Sequence, residues 1–252
     1  PIDGEEPNLM SGNISNSNIW DQDDKNSYLE VERMFTEMVD WAVDEGADLI
    51  MGETFYYAEE AYKALEIIKK SGLPAVINIA PMAENIMRDG ISIVDTCKEL
   101  EQRGADVVGM NCFRGPATML PYLKEIRKAI SCHMAALPLP YRTTKENPTF
   151  FNLPDNNGCT CNAPHGRTFP TALDPLYCNR YEMRAFFEEV NKIGIKLLGV
   201  CCGATPMHQR EVAEAVGRTV PASKYREKMA NHFMYGTNER IAKHMQEYGD
   251  KA

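Results

Sequence analysis

The chain lacks any long hydrophobic run, although hydrophobic residues make up 44% of its 252 residues. None of its apolar stretches approaches the ~20 residues that a membrane-spanning helix requires, so we expect no membrane partner. It also lacks a basic run, and 27 Lys and Arg against 36 Asp and Glu give a formal net charge of -9. Nucleic-acid-binding proteins usually present a basic face, so a small molecule is the expected partner and a nucleic acid is not.

Neither a secretion signal nor a disulfide framework is apparent. The first residues, Pro1-Ile-Asp-Gly, resemble neither a signal peptide nor an initiator methionine, so we expect a processed or incomplete start. The eight cysteines are unevenly spread, and the neighbours Cys201 and Cys202 do not suit a stapling bridge to each other. These features predict free thiols, available for a metal or for chemistry, in a cytoplasmic, reducing compartment.

Apolar strands alternate with amphipathic helices along most of the chain, as the periodicity of its apolar residues indicates. Strands are predicted near 9–14, 47–53, 74–80, 105–112, 133–141 and 196–202. Helices are predicted near 28–44, 58–70, 93–103, 118–130, 181–192 and 206–216. Continuous apolar strands separated by helices indicate a parallel sheet that is covered on both faces.

The fold class that follows is α/β, with a (β/α)8 TIM-type barrel as the first choice. Only about six βα units are visible where a closed barrel needs eight, so we expect the first two units to be missing from this chain or to come from a separate piece. A doubly wound open sheet is the alternative, but no glycine-rich dinucleotide loop follows any strand. The predicted domains are a partial barrel over 1–221 and a C-terminal helical tail over 222–252. The long loop of about 142–180 is predicted to be functional or an insertion.

Three cysteines stand where strands of such a barrel end, and this is the edge where barrel active sites lie. Cys112 ends one predicted strand, while Cys201 and Cys202 end another and are followed by Gly203, which permits a sharp turn. Three thiolates on one Zn²⁺ leave a fourth tetrahedral position open for a substrate. Such a site suits a substrate thiol that must be held as thiolate, and hence methyl transfer to sulfur. The alternative is that all three are buried structural cysteines.

Other strand-end side chains could bind a charged substrate. Glu53 ends a strand and could accept a charge-assisted hydrogen bond from an ammonium group, or it could pair with a loop cation. Aromatic rings just past the strand ends could hold a quaternary ammonium, or they could simply pack under loops. These rings belong to Phe55, Tyr56, Tyr57 and Phe113.

Two further clusters carry weaker signals. Cys159 and Cys161, together with His165, form a possible second metal cluster in the long loop, although loop residues without a metal are the simpler interpretation. The pair Glu59-Glu60 is predicted to lie on a solvated helix face.

Two short motifs make a family resemblance specific. The segments Gly109-Met110-Asn111-Cys112 and Gly199-Val200-Cys201-Cys202-Gly203 resemble the GxNC and GGCCG motifs of the zinc-dependent homocysteine S-methyltransferase family. The segments LIMGETFYYAEEA and LMSGNIS are similar to parts of its betaine-using members, and the resemblance runs in order from about Leu9 to past Val216.

The resemblance implies a (β/α)8 barrel in which Cys112, Cys201 and Cys202 hold Zn²⁺ as cofactor. Homocysteine would accept a methyl group from betaine or a related onium donor and become methionine. Glu53 would bind the amino group of homocysteine, and Asn111, next to the metal ligand Cys112, would also belong to the substrate-binding residues around the ion. A homo-oligomer is also expected.

The chain departs from the family pattern in ways that leave alternatives open. Val200 replaces the second glycine before the cysteine pair, and Thr54 stands where betaine-using members have a tyrosine that lines the donor pocket. The other donors considered are S-methylmethionine, dimethylsulfoniopropionate and a cobalamin- or folate-linked methyl group. A catalytically silent zinc-binding scaffold or subunit, and a thiol-redox barrel using Cys201 and Cys202, are the other hypotheses.

Overall fold

Six parallel strands form one sheet in the computed structural model, which describes residues 8–82, 84–154, 166–249 and 251. The strands are β1 Ser11–Ser15, β2 Leu49–Phe55, β3 Ala75–Ile79, β4 Val107–Asn111, β5 His133–Leu137 and β6 Leu197–Leu198. Each strand pairs in parallel with the strand that precedes it in the chain. A doubly wound sheet would change direction at a switch point, whereas this sequential order is that of a (β/α)8 barrel. The α/β barrel-type prediction is therefore confirmed and the doubly wound alternative is wrong.

A helix follows each strand, and a seventh lies near the C-terminus. The helices are α1 Lys25–Asp44, α2 Ala58–Ser71, α3 Ile93–Gln102, α4 Pro116–Ala129, α5 Arg180–Lys192, α6 Pro206–Ala215 and α7 Lys243–Gly249. Two of them begin earlier than the apolar pattern predicts. The Asp24 side chain caps α1 by accepting from the amide of Asn26, and Pro116 supplies the preset φ that favours the first turn of α4.

The two faces of the sheet differ in chemistry. One face packs against the helices and is fully apolar, with residues such as Ile50, Ile77 and Val108 completely buried. Side chains alternate along a strand, so the opposite face lies on the barrel interior. That interior face carries Asn13, Glu53, Asn78 and Asn111. The polar side chains are therefore confined to the face on which a barrel binds its substrate.

The last two strands are shorter than predicted. β5 ends at Leu137 because Pro138 and Pro140 have no amide hydrogen to donate to a neighbouring strand. β6, which pairs only with β5 among the described residues, ends at Leu198. Beyond Leu198 the chain keeps only separate amide hydrogen bonds to its neighbour, from Gly199 to the carbonyl of Ala136 and from Cys201 to that of Pro138.

The C-terminal region is helical only in part. It contains 3₁₀ helices at Pro221–Tyr225 and Met229–Asn231 before α7, rather than one continuous helix. Arg226 anchors its start by ion pairs with Glu211 and Glu214 of α6. The predicted domain boundary at 221 stays a prediction. Within the described part of the chain, no helix combines the length and the hydropathy needed to cross a bilayer.

Candidate metal and substrate site

The three cysteines singled out in the sequence converge at the carboxyl edge of the sheet. The Sγ atom of Cys202 lies 4.0 Å from that of Cys112 and 3.9 Å from that of Cys201, and all three sulfurs lie within 4.8 Å of one another. Three sulfurs bonded to one tetrahedral Zn²⁺ at ~2.3 Å would stand about 3.8 Å apart. The donor set and its spacing therefore fit a thiolate-rich zinc centre with one position left open.

The backbone is strained where Cys112 enters the site. Cys112 and Phe113 adopt φ values of +54° and +53°, in the left-handed region that non-glycine residues avoid. Strain of this kind costs on the order of 1–3 kcal/mol per residue and persists where the surrounding structure enforces it. Here the amide of Cys112 still donates to the carbonyl of Leu137 on β5 at 3.1 Å. The chain thus turns at the strand end without leaving the sheet, which aims the sulfur across the barrel.

Cys201 and Cys202 lie in the connection between β6 and α6. The amide of Cys201 donates to the carbonyl of Pro138 at 3.0 Å, and the amide of Ala204 donates back to the carbonyl of Cys201 at 3.2 Å. Gly203 follows with a φ of +84°, the permissive geometry that the sequence predicts at this point. The neighbouring thiols consequently face one point instead of alternating as they would on a strand.

The cluster favours a thiolate at one of its sulfurs. The hydrogen bond from Cys112 is the main cause that lowers the pKa of Cys201, while the same contact together with burial raises the pKa of Cys112. Burial, followed by the neighbouring Cys201, raises the pKa of Cys202. A bound cation would displace the remaining protons, as thiol ligation of a metal requires.

A hydrogen-bond network joins the cysteines to Glu53. The Asn111 side-chain amide donates to Glu53 Oε2 at 3.0 Å and to Thr54 Oγ1 at 2.9 Å, and the same nitrogen lies 3.9 Å from the sulfur of Cys201. Its oxygen accepts from the amide of Thr54 at 2.8 Å. Asn13 donates to the other oxygen of Glu53 at 2.5 Å. Asn111 thus touches the carboxylate and a candidate metal ligand together, as their sequence positions suggested.

Of the four aromatic residues named from the sequence, two reach this site. Phe113 and Tyr56 stack with their ring centroids 6.2 Å apart, beside the cysteines. Phe55 instead packs edge-on against Phe35 in the main core at 6.1 Å, so it is a core residue. Tyr57 also packs against that main core.

Sequence analysis missed several contributors. Phe150 and Phe151 of the long loop stack near Phe113 and extend its aromatic surface. The sequence marks Thr54 only as a departure from the family pattern. Its φ of +64°, in the left-handed region that β-branched residues avoid, and its hydrogen bonds with Asn111 come from the structure. The cluster of Cys159, Cys161 and His165 lies outside the described residues.

The interpretation of Glu60 as a solvated residue is wrong. Its side chain is buried, and its carboxylate accepts from the amide and the hydroxyl of Ser17 at 2.7 and 2.6 Å. Burial raises its pKa, against the lowering effect of those two hydrogen bonds. Glu60 falls inward because the loop after β1 folds over the start of α2, which a helix pattern does not reveal. Glu59 is exposed, as predicted.

The residues of this site fall within a known protein family. The family model described as Homocysteine S-methyltransferase matches residues 6–216, which include the three cysteines, Glu53 and Asn111. The chain belongs to the homocysteine S-methyltransferase family. The resemblance stated from the two cysteine motifs is therefore confirmed at the level of the family.

Curated relatives of this family cover most of the chain. Betaine–homocysteine S-methyltransferase 1 of Danio rerio is 32% identical over 73% of this chain and 44% of its own length. The protein of the same name from Xenopus tropicalis is 29% identical over 75% of this chain and 45% of its own length. An S-methylmethionine–homocysteine S-methyltransferase of Pongo abelii is 26% identical over 86% and 58%. The chain thus spans about half the length of the curated relatives it matches.

Solved structures of the family share the fold. The homocysteine methyltransferase MmuM from Escherichia coli, in its apo form, superposes with a TM-score of 0.59 and 14% identity, covering 82% of this chain and 63% of that one. Its metallated form gives a TM-score of 0.58 and 14% identity, over 82% and 60%. This structural similarity supports the barrel-type α/β fold.

Proposed function

We propose that this chain carries the metal and homocysteine half of a homocysteine S-methyltransferase site. Cys112, Cys201 and Cys202 would hold Zn²⁺, and Glu53 would bind the amino group of homocysteine. The observation that carries the proposal is the set of three sulfurs: those of Cys112 and Cys201 lie 4.0 and 3.9 Å from that of Cys202, a spacing that suits one tetrahedral ion. Membership of the family supports it.

A zinc ion in this site would keep a substrate thiol deprotonated near neutral pH, where a free thiol of pKa ~8.5 is mostly protonated. The thiol proton of homocysteine would be released to solvent on binding. A sulfur lone pair then forms the new S–CH3 bond while the methyl–nitrogen or methyl–sulfur bond of the onium donor breaks. The bonding electrons depart with the donor heteroatom, which becomes neutral, and methionine is the other product.

The protein's own residues would position the acceptor. Each oxygen of Glu53 already accepts one amide hydrogen bond, from Asn13 or Asn111, which fixes the carboxylate and leaves lone pairs for an ammonium group. The amide of Asn111 is close to the sulfur of Cys201 as well. Asn111, at the end of β4, would therefore link amino-group recognition to sulfur activation.

For the donor we propose an onium compound, with betaine as the first candidate. The aromatic surface formed by Tyr56, Phe113, Phe150 and Phe151 supports this, because aromatic faces attract quaternary and sulfonium cations. Relatives named for betaine and for S-methylmethionine both occur among the curated proteins. The donor assignment is therefore the first thing to measure.

The deciding experiment measures bound metal and the formation of methionine from homocysteine. Separate reactions would contain betaine, S-methylmethionine, dimethylsulfoniopropionate, methylcobalamin or a methylated folate. We expect about one zinc per chain and turnover with an onium donor. Cys202→Ala should lose both metal and homocysteine affinity, whereas Cys132→Ala, a half-buried cysteine outside the cluster, should lose neither.

The competing hypotheses give different results in the same experiment. Stoichiometric zinc without methionine from any donor would favour the silent scaffold. A protein without zinc whose Cys201 and Cys202 form a reversible disulfide would favour the redox barrel. Light scattering of the same preparation tests the predicted homo-oligomer.

A further inference from the structure

The turn that carries the cysteine pair is poorly supported by the sheet. Residues 199–205, here called the cysteine turn, follow a two-residue strand and precede α6. Cys201 is tied to the sheet by its amide, but Cys202 is exposed and is followed by Gly203 in a left-handed conformation. A glycine at this position costs more conformational entropy to order than other residues. Some other contact must therefore hold the Cys202 end of the turn.

Tyr177 provides that contact. Its hydroxyl donates to the carbonyl oxygen of Gly203 at 2.7 Å, the one side-chain hydrogen bond that Gly203 receives in the described structure. On the other side of the glycine, a Cβ atom added to Gly203 would overlap the hydroxyl of Tyr141. The peptide after Cys202 is thus held between two tyrosines, one by a hydrogen bond and one by contact.

Tyr177 is itself held in place from several directions. It forms an isolated antiparallel bridge with Tyr141, four residues beyond β5, and the flanking amide of Cys178 donates to the carbonyl of Pro140 at 2.8 Å. Its ring stacks on buried His208, with centroids 5.8 Å apart and planes 8° apart. His208 contacts the carbonyl of Cys178 through Nε2 at 3.0 Å and accepts from the amide of Thr205 through Nδ1 at 3.0 Å. The phenol is therefore placed before any metal binds.

We propose that Tyr177 is a positioning residue for the metal centre: its hydrogen bond to Gly203 holds the sulfur of Cys202 at the distance from Cys112 and Cys201 that one ion requires. The inference rests on the proposed function, because it assumes that these cysteines bind zinc. Removing the hydroxyl leaves the cysteine turn to be ordered by the metal itself, so part of the binding free energy is spent on ordering it. The expected consequence is weaker and shorter-lived metal binding.

The test compares two variants that each lose one phenolic hydroxyl. Tyr177→Phe keeps the ring that stacks on His208, while Tyr181→Phe removes the hydroxyl that bonds Glu227 on the exposed side of α5. Zinc and cobalt affinities are measured against a chromophoric chelator, together with the rate of zinc release. We expect Tyr177→Phe to bind about 10–100-fold more weakly, the usual effect of removing a group that orients a ligand. Its thiolate–cobalt absorption should also shift, and Tyr181→Phe should match the wild type.

The results separate this inference from the proposed function. Wild-type protein that binds no zinc would overturn the proposed function and this inference with it. Wild-type protein that binds zinc, with Tyr177→Phe equal to it in affinity and release rate, would overturn the inference alone. The metal-free melting temperature detects a merely structural role. If Tyr177→Phe fails to fold, or melts earlier without metal than Tyr181→Phe does, Tyr177 supports the fold and the positioning role is rejected.

Discussion

Cys112 and the cysteine pair reach the same point from two differently built parts of the barrel. Cys112 follows β4, a central strand that pairs with β3 up to Met110 and with β5 up to Asn111. Cys201 and Cys202 follow β6, which is two residues long and pairs with one neighbour among the described residues. Position is enforced by the sheet in the first case and by loop contacts such as that of Tyr177 in the second. A metal centre at these sulfurs would therefore have one rigid ligand and two adjustable ones.

The largest effect should come from removing the rigid ligand. Cys112→Ala deletes the buried sulfur of the three-cysteine group, whose ligand atoms lie within 4.8 Å of one another. We expect zinc affinity to fall by well over the ~100-fold upper range seen for groups that only orient a ligand. Chelator competition measures it, with Cys132→Ala as the matched control. Zinc affinity in Cys112→Ala equal to that of Tyr177→Phe would contradict the ranking of a ligand over a residue that only positions one.

Two glycines, Gly109 in β4 and Gly199 directly after β6, allow the packing around the two strands to be compared. A Cβ on Gly109 of β4 would lie 2.6 Å from both the Cβ of Ala135 and the Oδ1 of Asn78, whereas one on Gly199 would meet only the flexible end of Leu137 at 3.1 Å. Overpacking of a rigid interior costs about 1–3 kcal/mol. Gly109→Ala should therefore lower the free energy of unfolding in urea by that amount, and Gly199→Ala by much less. Equal losses would show that the edge is as rigid as the centre.

The contrast between centre and edge also applies to the side-chain amides of Asn13 and Asn111, which each donate to Glu53. Asn111→Ala leaves the part-buried amide of Thr54 without its acceptor, which costs about 1–3 kcal/mol, and removes one donor to Glu53. Asn13 lies on the exposed edge strand, so Asn13→Ala should cost under about 1 kcal/mol. Calorimetric titration with homocysteine should show weaker binding for both variants, more so for Asn111→Ala. A larger loss for Asn13→Ala in either measurement would contradict this order.

The sequence predicts the central part of the sheet better than its edge. Apolar periodicity predicts all six strands, since buried parallel strands and amphipathic helices leave regular patterns. The cysteine trio was also predictable, because strand ends of a barrel meet at one edge. The short extent of β6 was not, since a strand pattern does not show where pairing stops. The positive φ of Thr54 and the bond from Tyr177 to Gly203 depend on contacts between distant segments and leave no local signal.

Glu60 is another residue whose environment a local sequence pattern does not reveal. Its ionisation gives the smallest predicted effect. Because its pKa is raised by burial in the folded protein, the native state binds the proton more tightly than the unfolded chain does. The resulting stability is present below the unfolded pKa of about 4.3 and is lost as the pH rises through the folded value. Glu60→Gln keeps an oxygen that can accept from Ser17 but cannot ionise.

The free energy of unfolding of this variant should therefore rise relative to that of the wild type between pH 4 and pH 8, by under about 1.5 kcal/mol. Urea titrations across this range measure it, with exposed Glu59→Gln as the control, and a gain that appears only on acidification would reverse the sign and refute the argument.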